Sequence, residues 1–248
     1  METLRYGTHP DQVVDVTFPQ GAGRPPLVVL LHGGFWRVAY DRAHLRVVAD
    51  ALTAEGFAVA NVEYRRVGGG GGWPATFSDV GDAIEAVQTA LVDRVDLGSV
   101  AYLGHSAGGH LALWAAVRDR LPPGAPGRAG RAPAVRGVVA LAPAADLAEV
   151  DRLGLSGGAV RELLGGSPTA VPDRFAATDP AVLGAPAATT VVVHGVLDDL
   201  VPIEVSRSYR DRTGASLIEV SGTGHFELID PESAAWPVVL TALRESVG

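Results

Sequence analysis

Five short runs of branched apolar residues, at 27–31, 58–62, 100–103, 135–141 and 190–193, alternate along the chain with longer segments whose apolar positions recur at helical spacing. A chain patterned this way buries its apolar faces as parallel strands joined by crossover helices, with helices on both sides of one sheet. Near-continuous hydrophobicity within the five runs fits strands covered on both faces. Weaker runs at 13–18 and 216–220 read as an early and a late edge strand. Helices are expected at 41–54, 77–93, 107–118, 203–213 and 234–247, with Asp41 and Ser78 as N-terminal caps and Gly56 and Gly214 at helix ends. The expected fold class is therefore α/β, and 248 residues suit one domain spanning 1–248.

Three stretches break the rhythm. Gly68 to Gly72 are consecutive glycines, but no Gly-Lys-Ser/Thr follows and no dinucleotide fingerprint surrounds them, so they read as a flexible surface loop. The segment 121–133 is rich in Pro, Gly and Arg and reads as an exposed connection. The segment 144–186 lacks periodicity beyond a short helix near 158–164. A stretch that long between two buried strands is expected to be a lid or cap.

Composition removes whole chemistries. There is no cysteine, hence no disulfide, no thiolate nucleophile and no Cys-based metal site. All 20 basic residues are arginine, so Schiff-base and Ser-Lys chemistry and a P-loop lysine are excluded as well. The net charge of -8 and the scattered arginines lack the electrostatic footprint of a nucleic-acid binder. Residues 1–12 are polar, and no run approaches the roughly 20 apolar residues of a membrane span. The expectation is a soluble, cytoplasmic protein without nucleic-acid or membrane partners.

Against that background one motif stands out. Gly104-His105-Ser106-Ala107-Gly108 follows an expected strand and opens an expected helix, the setting a nucleophile elbow requires. Serine needs a base and an orienting carboxylate, which should follow it in the order Ser, acid, His. Asp198, in His194-Gly195-Val196-Leu197-Asp198-Asp199, and His225, in Gly224-His225-Phe226, lie just after the last two strands. Loops at that sheet edge are where open α/β sheets build their sites. Asp199 competes with Asp198 as the acid. His32-Gly33-Gly34-Phe35-Trp36 follows the strand at 27–31, and its glycines allow backbone N–H groups to approach a developing oxyanion. The amides of Gly34, Phe35 and Ala107 are the expected donors, with His32 holding the loop in place. Metal catalysis is a weak rival: His105 and His110 are five apart, off the spacing that puts two ligands on one helix face. No metal or cofactor is expected.

His-Gly-Gly-Phe-Trp, Gly-His-Ser-Ala-Gly, His-Gly-x-x-Asp-x-x-Val-Pro and Gly-His-Phe, in this order, resemble the α/β-hydrolase superfamily, in particular the hormone-sensitive-lipase-like esterases and the kynurenine formamidase-like proteins. The resemblance implies a mostly parallel sheet with helices on both faces and a triad of Ser106, Asp198 and His225, its His-Gly-x-x-Asp spacing favouring Asp198 over Asp199. The aromatic Phe35, where lipase-like esterases usually carry a third glycine, and Asp230-Pro231 after His225-Phe226 look more like arylformamidases. The best single expectation is thus an arylformamidase acting on an N-formylkynurenine-like substrate. A carboxylesterase of short-chain or aryl esters, a peptidase-like hydrolase and a non-catalytic binding scaffold are the alternatives. Trp36, Trp73 and Phe226 are the expected substrate-binding aromatics, with Tyr40 and Tyr64 in neighbouring loops. Arg65 and Arg66 read as a solvated face. The expected partner is a small-molecule ester or amide, with monomer or homodimer left open.

Overall fold

A computed structural model of the protein describes residues 1–21 and 23–248. Among these residues eight strands form one sheet: β1 (Glu2–Arg5), β2 (Val13–Thr17), β3 (Pro26–Leu31), β4 (Ala58–Val62), β5 (Asp96–His105), β6 (Gly137–Leu141), β7 (Thr189–Gly195) and β8 (Ser216–Val220). Their spatial order is β1-β2-β4-β3-β5-β6-β7-β8. From β4 to β8 every pairing is parallel, while β2 runs antiparallel to both β1 and β4. The chain first moves outward from β3 to β4, then returns across β3 to β5 and continues the other way. In open α/β sheets such a reversal is where binding crevices form, here at the carboxyl ends of β3 and β5.

Side-chain alternation along each strand feeds two cores. Leu27, Val29 and Leu31 of β3 join the cluster that includes α2 (Ala75–Ala90), α3 (Ala107–Ala115) and α8 (Ile203–Thr213), whereas Val28 and Leu30 join the cluster with α1 (Arg46–Ala54) and α9 (Trp236–Val247). β4 and β6 are buried along their whole length, as expected for strands covered on both sides. None of the described helices is long and apolar enough to cross a membrane.

The structure differs from the sequence reading in several places. α2 begins at Ala75, so Ser78 lies inside the helix and does not cap it. β1 was not expected, because Glu2–Arg5 is short and mostly exposed and is held by its pairing to β2. The segment 144–186 carries α4 (Leu147–Arg152), α5 (Ala159–Leu164), α6 (Pro172–Thr178) and α7 (Pro180–Leu183), of which only α5 was expected. The others span at most two turns, too few for a period to show. Their apolar residues, among them Leu147, Val150, Leu163 and Phe175, belong to the α3 side of the core. At the root of this segment Asp146 accepts from Glu149 N–H (3.0 Å) and from the Ser208 hydroxyl (2.6 Å). Asp179 beside it accepts from Ala181 N–H at 3.0 Å. Burial, with the Asp146 charge adding to it, pushes the Asp179 carboxyl up to about 7. Finally, the five-glycine stretch is a closed turn rather than an open loop. Gly69 and Gly71 N–H both reach Arg66 O at 2.9 Å, and a Cβ on Gly71 would stand 2.2 Å from Arg65 O.

A very close backbone approach lies where β5 turns into α3. A Cβ on Gly104 would lie 2.1 Å from Gly108 O. Gly104→Ala is therefore expected to cost more than about 3 kcal/mol in urea unfolding, with Gly130→Ala, which meets open space, within about 0.5 kcal/mol of wild type. Similar small losses for both would refute the close packing of strand against helix.

Candidate active site

Ser106 sits between β5 and α3 with φ 56° and ψ -118°, a backbone conformation that a residue with a Cβ holds only under constraint. The constraint is visible. Its N–H donates to Leu141 O (2.8 Å), and its carbonyl accepts from His110 N–H (3.1 Å) and Ala144 N–H (3.2 Å). A Cβ on Gly108 would strike Leu31 O at 2.0 Å, so α3 can rest against the end of β3 only because that position is glycine.

The loops after β7 and β8 bring Asp198 and His225 together. His225 Nδ1–H donates to Asp198 Oδ2 at 2.5 Å, which leaves Nε2 as the ring nitrogen without a hydrogen bond among the described residues. The other carboxylate oxygen accepts from Leu200 N–H (2.9 Å) and Val201 N–H (2.8 Å). Burial alone would raise the Asp198 carboxyl. Hydrogen bonds from His194 and His225, the His225 charge and the Val201 amide outweigh it and hold the group well below the usual carboxylate range. Asp199, its sequence competitor, is exposed. His194 is buried and bridges Val201 O (2.8 Å) and Ser206 Oγ (2.6 Å), which fixes the loop that carries Asp198.

His105 ties the two halves together. Its Nε2–H donates to His225 O at 3.0 Å, and the two rings lie 4.4 Å apart. Burial holds the His105 imidazole well below its ordinary value, so it is a neutral donor. His110 donates instead to Thr178 O (2.8 Å), and burial lowers it to about 4. The two histidines thus face different partners and do not converge on one point.

The loop after β3 closes the third side. Gly34, Phe35 and Trp36 all have positive φ (103°, 48° and 56°). A Cβ on Gly33 would stand 2.9 Å from His105 O and 3.0 Å from Ser106 Cβ, so the loop lies directly against the elbow. Among the described residues the N–H groups of Gly34 and Phe35 have no hydrogen-bond acceptor, and Ala107 N–H is the free first amide of α3. Unpaired donors grouped beside a strained serine are suited to stabilising a developing oxyanion.

Residues 14–212 of this chain match the BD-FAE family. The chain belongs to the BD-FAE family. It is 28% identical over 246 residues to "Esterase LipC" of Mycobacterium tuberculosis (strain ATCC 25618 / H37Rv), an alignment covering 91% of this chain and 59% of that protein. The chain thus spans less than two thirds of that relative's length. Among solved structures it is similar to a truncated carbohydrate esterase from gut microbiota (TM-score 0.85, 21% identity, 100% of this chain and 96% of the other). It is also similar to a thermophilic esterase from the Planctomycetes species Thermogutta terrifontis (TM-score 0.74, 21% identity, 98% and 90%). The fold of this BD-FAE member is that of the α/β hydrolases.

Not every expected aromatic reaches the mouth of this BD-FAE site. Trp36 is fully buried, edge-on to His110 at 5.2 Å, because its left-handed backbone turns the ring into the core; it is a packing residue and lines no open surface. Tyr64 is equally buried and stacks on His32. Trp73 is partly buried against Phe77, and its backbone N–H donates to Leu163 O at 2.7 Å. Phe226 is 46% exposed beside His225, and Tyr40 is 47% exposed, with His44 between them. Burial, with His32 and His225 close by, lowers the His44 imidazole. Arg66 is buried and paired with Asp11 and Glu63, and Arg65 is paired with Asp79, so neither forms the solvated face expected from sequence. The sequence reading also passed over Glu63, a buried carboxylate with no motif to mark it.

The depressed Asp198 carboxyl has a measurable sign. Its contribution to stability is complete above the ordinary carboxylate pKa of about 3.9 and is lost as pH falls through the lower folded-state value. The Tm gap between wild type and Asp198→Asn should narrow as pH falls below about 4. A gap that stays constant or widens below about pH 4 would contradict the charged pairing.

Proposed function

We propose that this protein is a serine hydrolase of small carboxylic esters that works through an acyl-enzyme. The observation that carries the reading is the Asp198–His225 pair at 2.5 Å, set beside a strained Ser106 and a loop of unpaired amides. The esterases among its relatives support it.

In this reading His225 Nε2 takes the proton of Ser106 as Oγ attacks the carbonyl carbon. Asp198, accepting from Nδ1, fixes the tautomer and stabilises the imidazolium that forms. The carbonyl oxygen becomes an oxyanion held by the amides of Gly34, Phe35 and Ala107. Its collapse expels the alcohol, which receives the proton from His225. Water, deprotonated by His225, then attacks the acyl-serine and releases the acid.

The half-exposed rings of Tyr40 and Phe226, with Leu197 64% exposed on the Asp198 loop, give the mouth an apolar rim. Such a rim suits an aryl or alkyl leaving group. An aryl formamide shares that leaving-group chemistry, with the aromatic Phe35 in the oxyanion loop as its sequence argument; ester cleavage has the support of the relatives. The segment 144–186 is read as a fixed cap. Arg37, just after the oxyanion loop, bonds Glu162 Oε2 (2.7 Å), Ser156 Oγ (2.8 Å) and Ser156 O (2.8 Å) of that segment.

Three measurements test the proposal. A fluorophosphonate should label Ser106, and Ser106→Ala should lower turnover by about 10³-fold or more while leaving the unfolding transition intact. No labelling of the folded protein would refute the hydrolase reading. Rates on p-nitrophenyl acetate, p-nitrophenyl butyrate and N-formylkynurenine divide the substrate classes: the esters should be turned over faster, and a preference for N-formylkynurenine would make the formamide reading the correct one.

A further inference from the structure

The oxyanion loop is held by a buried pair that the catalytic reading leaves unused. His32 is the residue that follows β3, and Glu63 the residue that follows β4. Because Leu31 pairs with Val62, the two side chains leave the sheet as neighbours. His32 Nε2 lies 2.9 Å from Glu63 Oε1, and His32 Nδ1 lies 2.8 Å from Gly33 O. His32 is 0% and Glu63 1% exposed. A carbonyl oxygen only accepts, so Nδ1 carries a hydrogen, and a proton also lies between Nε2 and the carboxylate.

Glu63 is anchored from several sides. Its Oε2 accepts from Arg42 N–H (2.9 Å), Oε1 accepts from Tyr64 N–H (3.2 Å), and the Arg66 and Arg42 guanidinium groups stand 3.1 and 3.6 Å away. The His32 ring is sandwiched flat against Tyr64, with centroids 4.4 Å apart and an 8° tilt. The Tyr64 hydroxyl closes the arrangement by donating to His32 O at 2.7 Å. An imidazole fixed this firmly has one orientation.

The chemical point is which peptide it touches. Gly33 C=O and Gly34 N–H belong to the same amide group. A hydrogen bond to the carbonyl oxygen draws electron density from the nitrogen and makes the N–H a stronger donor, an effect that grows along a chain of hydrogen bonds in a low-dielectric interior. We propose that Glu63 and His32 form a polarising relay that strengthens Gly34 N–H as a donor to the oxyanion. Both are positioning residues, since neither touches the substrate. The inference rests on the hydrolase reading above, and its test separates the two.

Glu63→Gln removes the carboxylate charge and keeps the shape. A relay acts on the transition state and not on ground-state binding, so kcat on p-nitrophenyl acetate should fall about tenfold with KM within about twofold. The inhibition constant of an alkyl trifluoromethyl ketone, whose adduct with Ser106 carries an oxyanion, should rise about tenfold in parallel. A fluorophosphonate should still label Ser106 in the variant. Unchanged kcat and ketone affinity in folded, labelled Glu63→Gln would overturn the relay and leave the hydrolase reading standing; absence of labelling in wild type would remove both. If the variant fails to fold, the wild-type protein decides the matter. Its ¹⁵N-labelled histidine spectrum should show His32 Nδ1 protonated, and a bare Nδ1 would overturn the relay.

Discussion

The parallel register of β3 against its two neighbours is the constraint on which the rest of this structure depends. Leu31 pairs with Val62 on one side and with Gly104 on the other. Backbone ladders fix those positions, so the next residues of three strands, His32, Glu63 and His105, emerge at one edge with little freedom to move apart. Ser106 and the 33–36 loop meet because two hydrogen-bonded strands end level with one another. Glycine at positions 33, 104 and 108 is what lets the connecting backbones close on each other.

Holding reactive groups in place here means holding strained backbone. Ser106, Phe35 and Trp36 are non-glycine residues at positive φ, each a conformation that costs roughly 1–3 kcal/mol. The surroundings offset that cost. Ser106 is bonded through its own N–H and C=O to β6, α3 and the segment behind β6, and Trp36 gains full burial in the larger core. The short helices of 144–186 add to this, since their apolar residues are part of the same core and Arg37, just after the 33–36 loop, bonds Glu162 of α5.

Buried charge is arranged by the same logic. Two carboxylates, Asp198 after β7 and Glu63 after β4, each accept from a histidine and from backbone amides. Desolvating such groups is costly unless hydrogen bonds compensate, and each of the four carboxylate oxygens accepts at least one. Asp179 shows the opposite balance: pressed against Asp146 without a cation of its own, it is driven toward the neutral form.

Much of this was legible in the chain itself. Runs of branched apolar residues marked β3 to β7 because strands covered on both faces must be apolar throughout, and Gly-x-Ser-x-Gly marked the elbow because only glycine tolerates the close approach on either side. What depends on a few residues of pattern, or on none, was not legible. β1 and the two-turn helices α4, α6 and α7 exist because they pack against something already formed. Trp36 and Tyr64 read as mouth aromatics, and only the left-handed turn and the ring stack show that they face inward. The sequence alone determined the order of strands and helices and the types of group that could react, since those follow from local periodicity and side-chain chemistry. Only the tertiary structure showed the bond from His225 to Asp198, which the family resemblance had favoured over Asp199, and placed Glu63 behind His32, because both follow from strand register and loop closure between residues far apart in the chain.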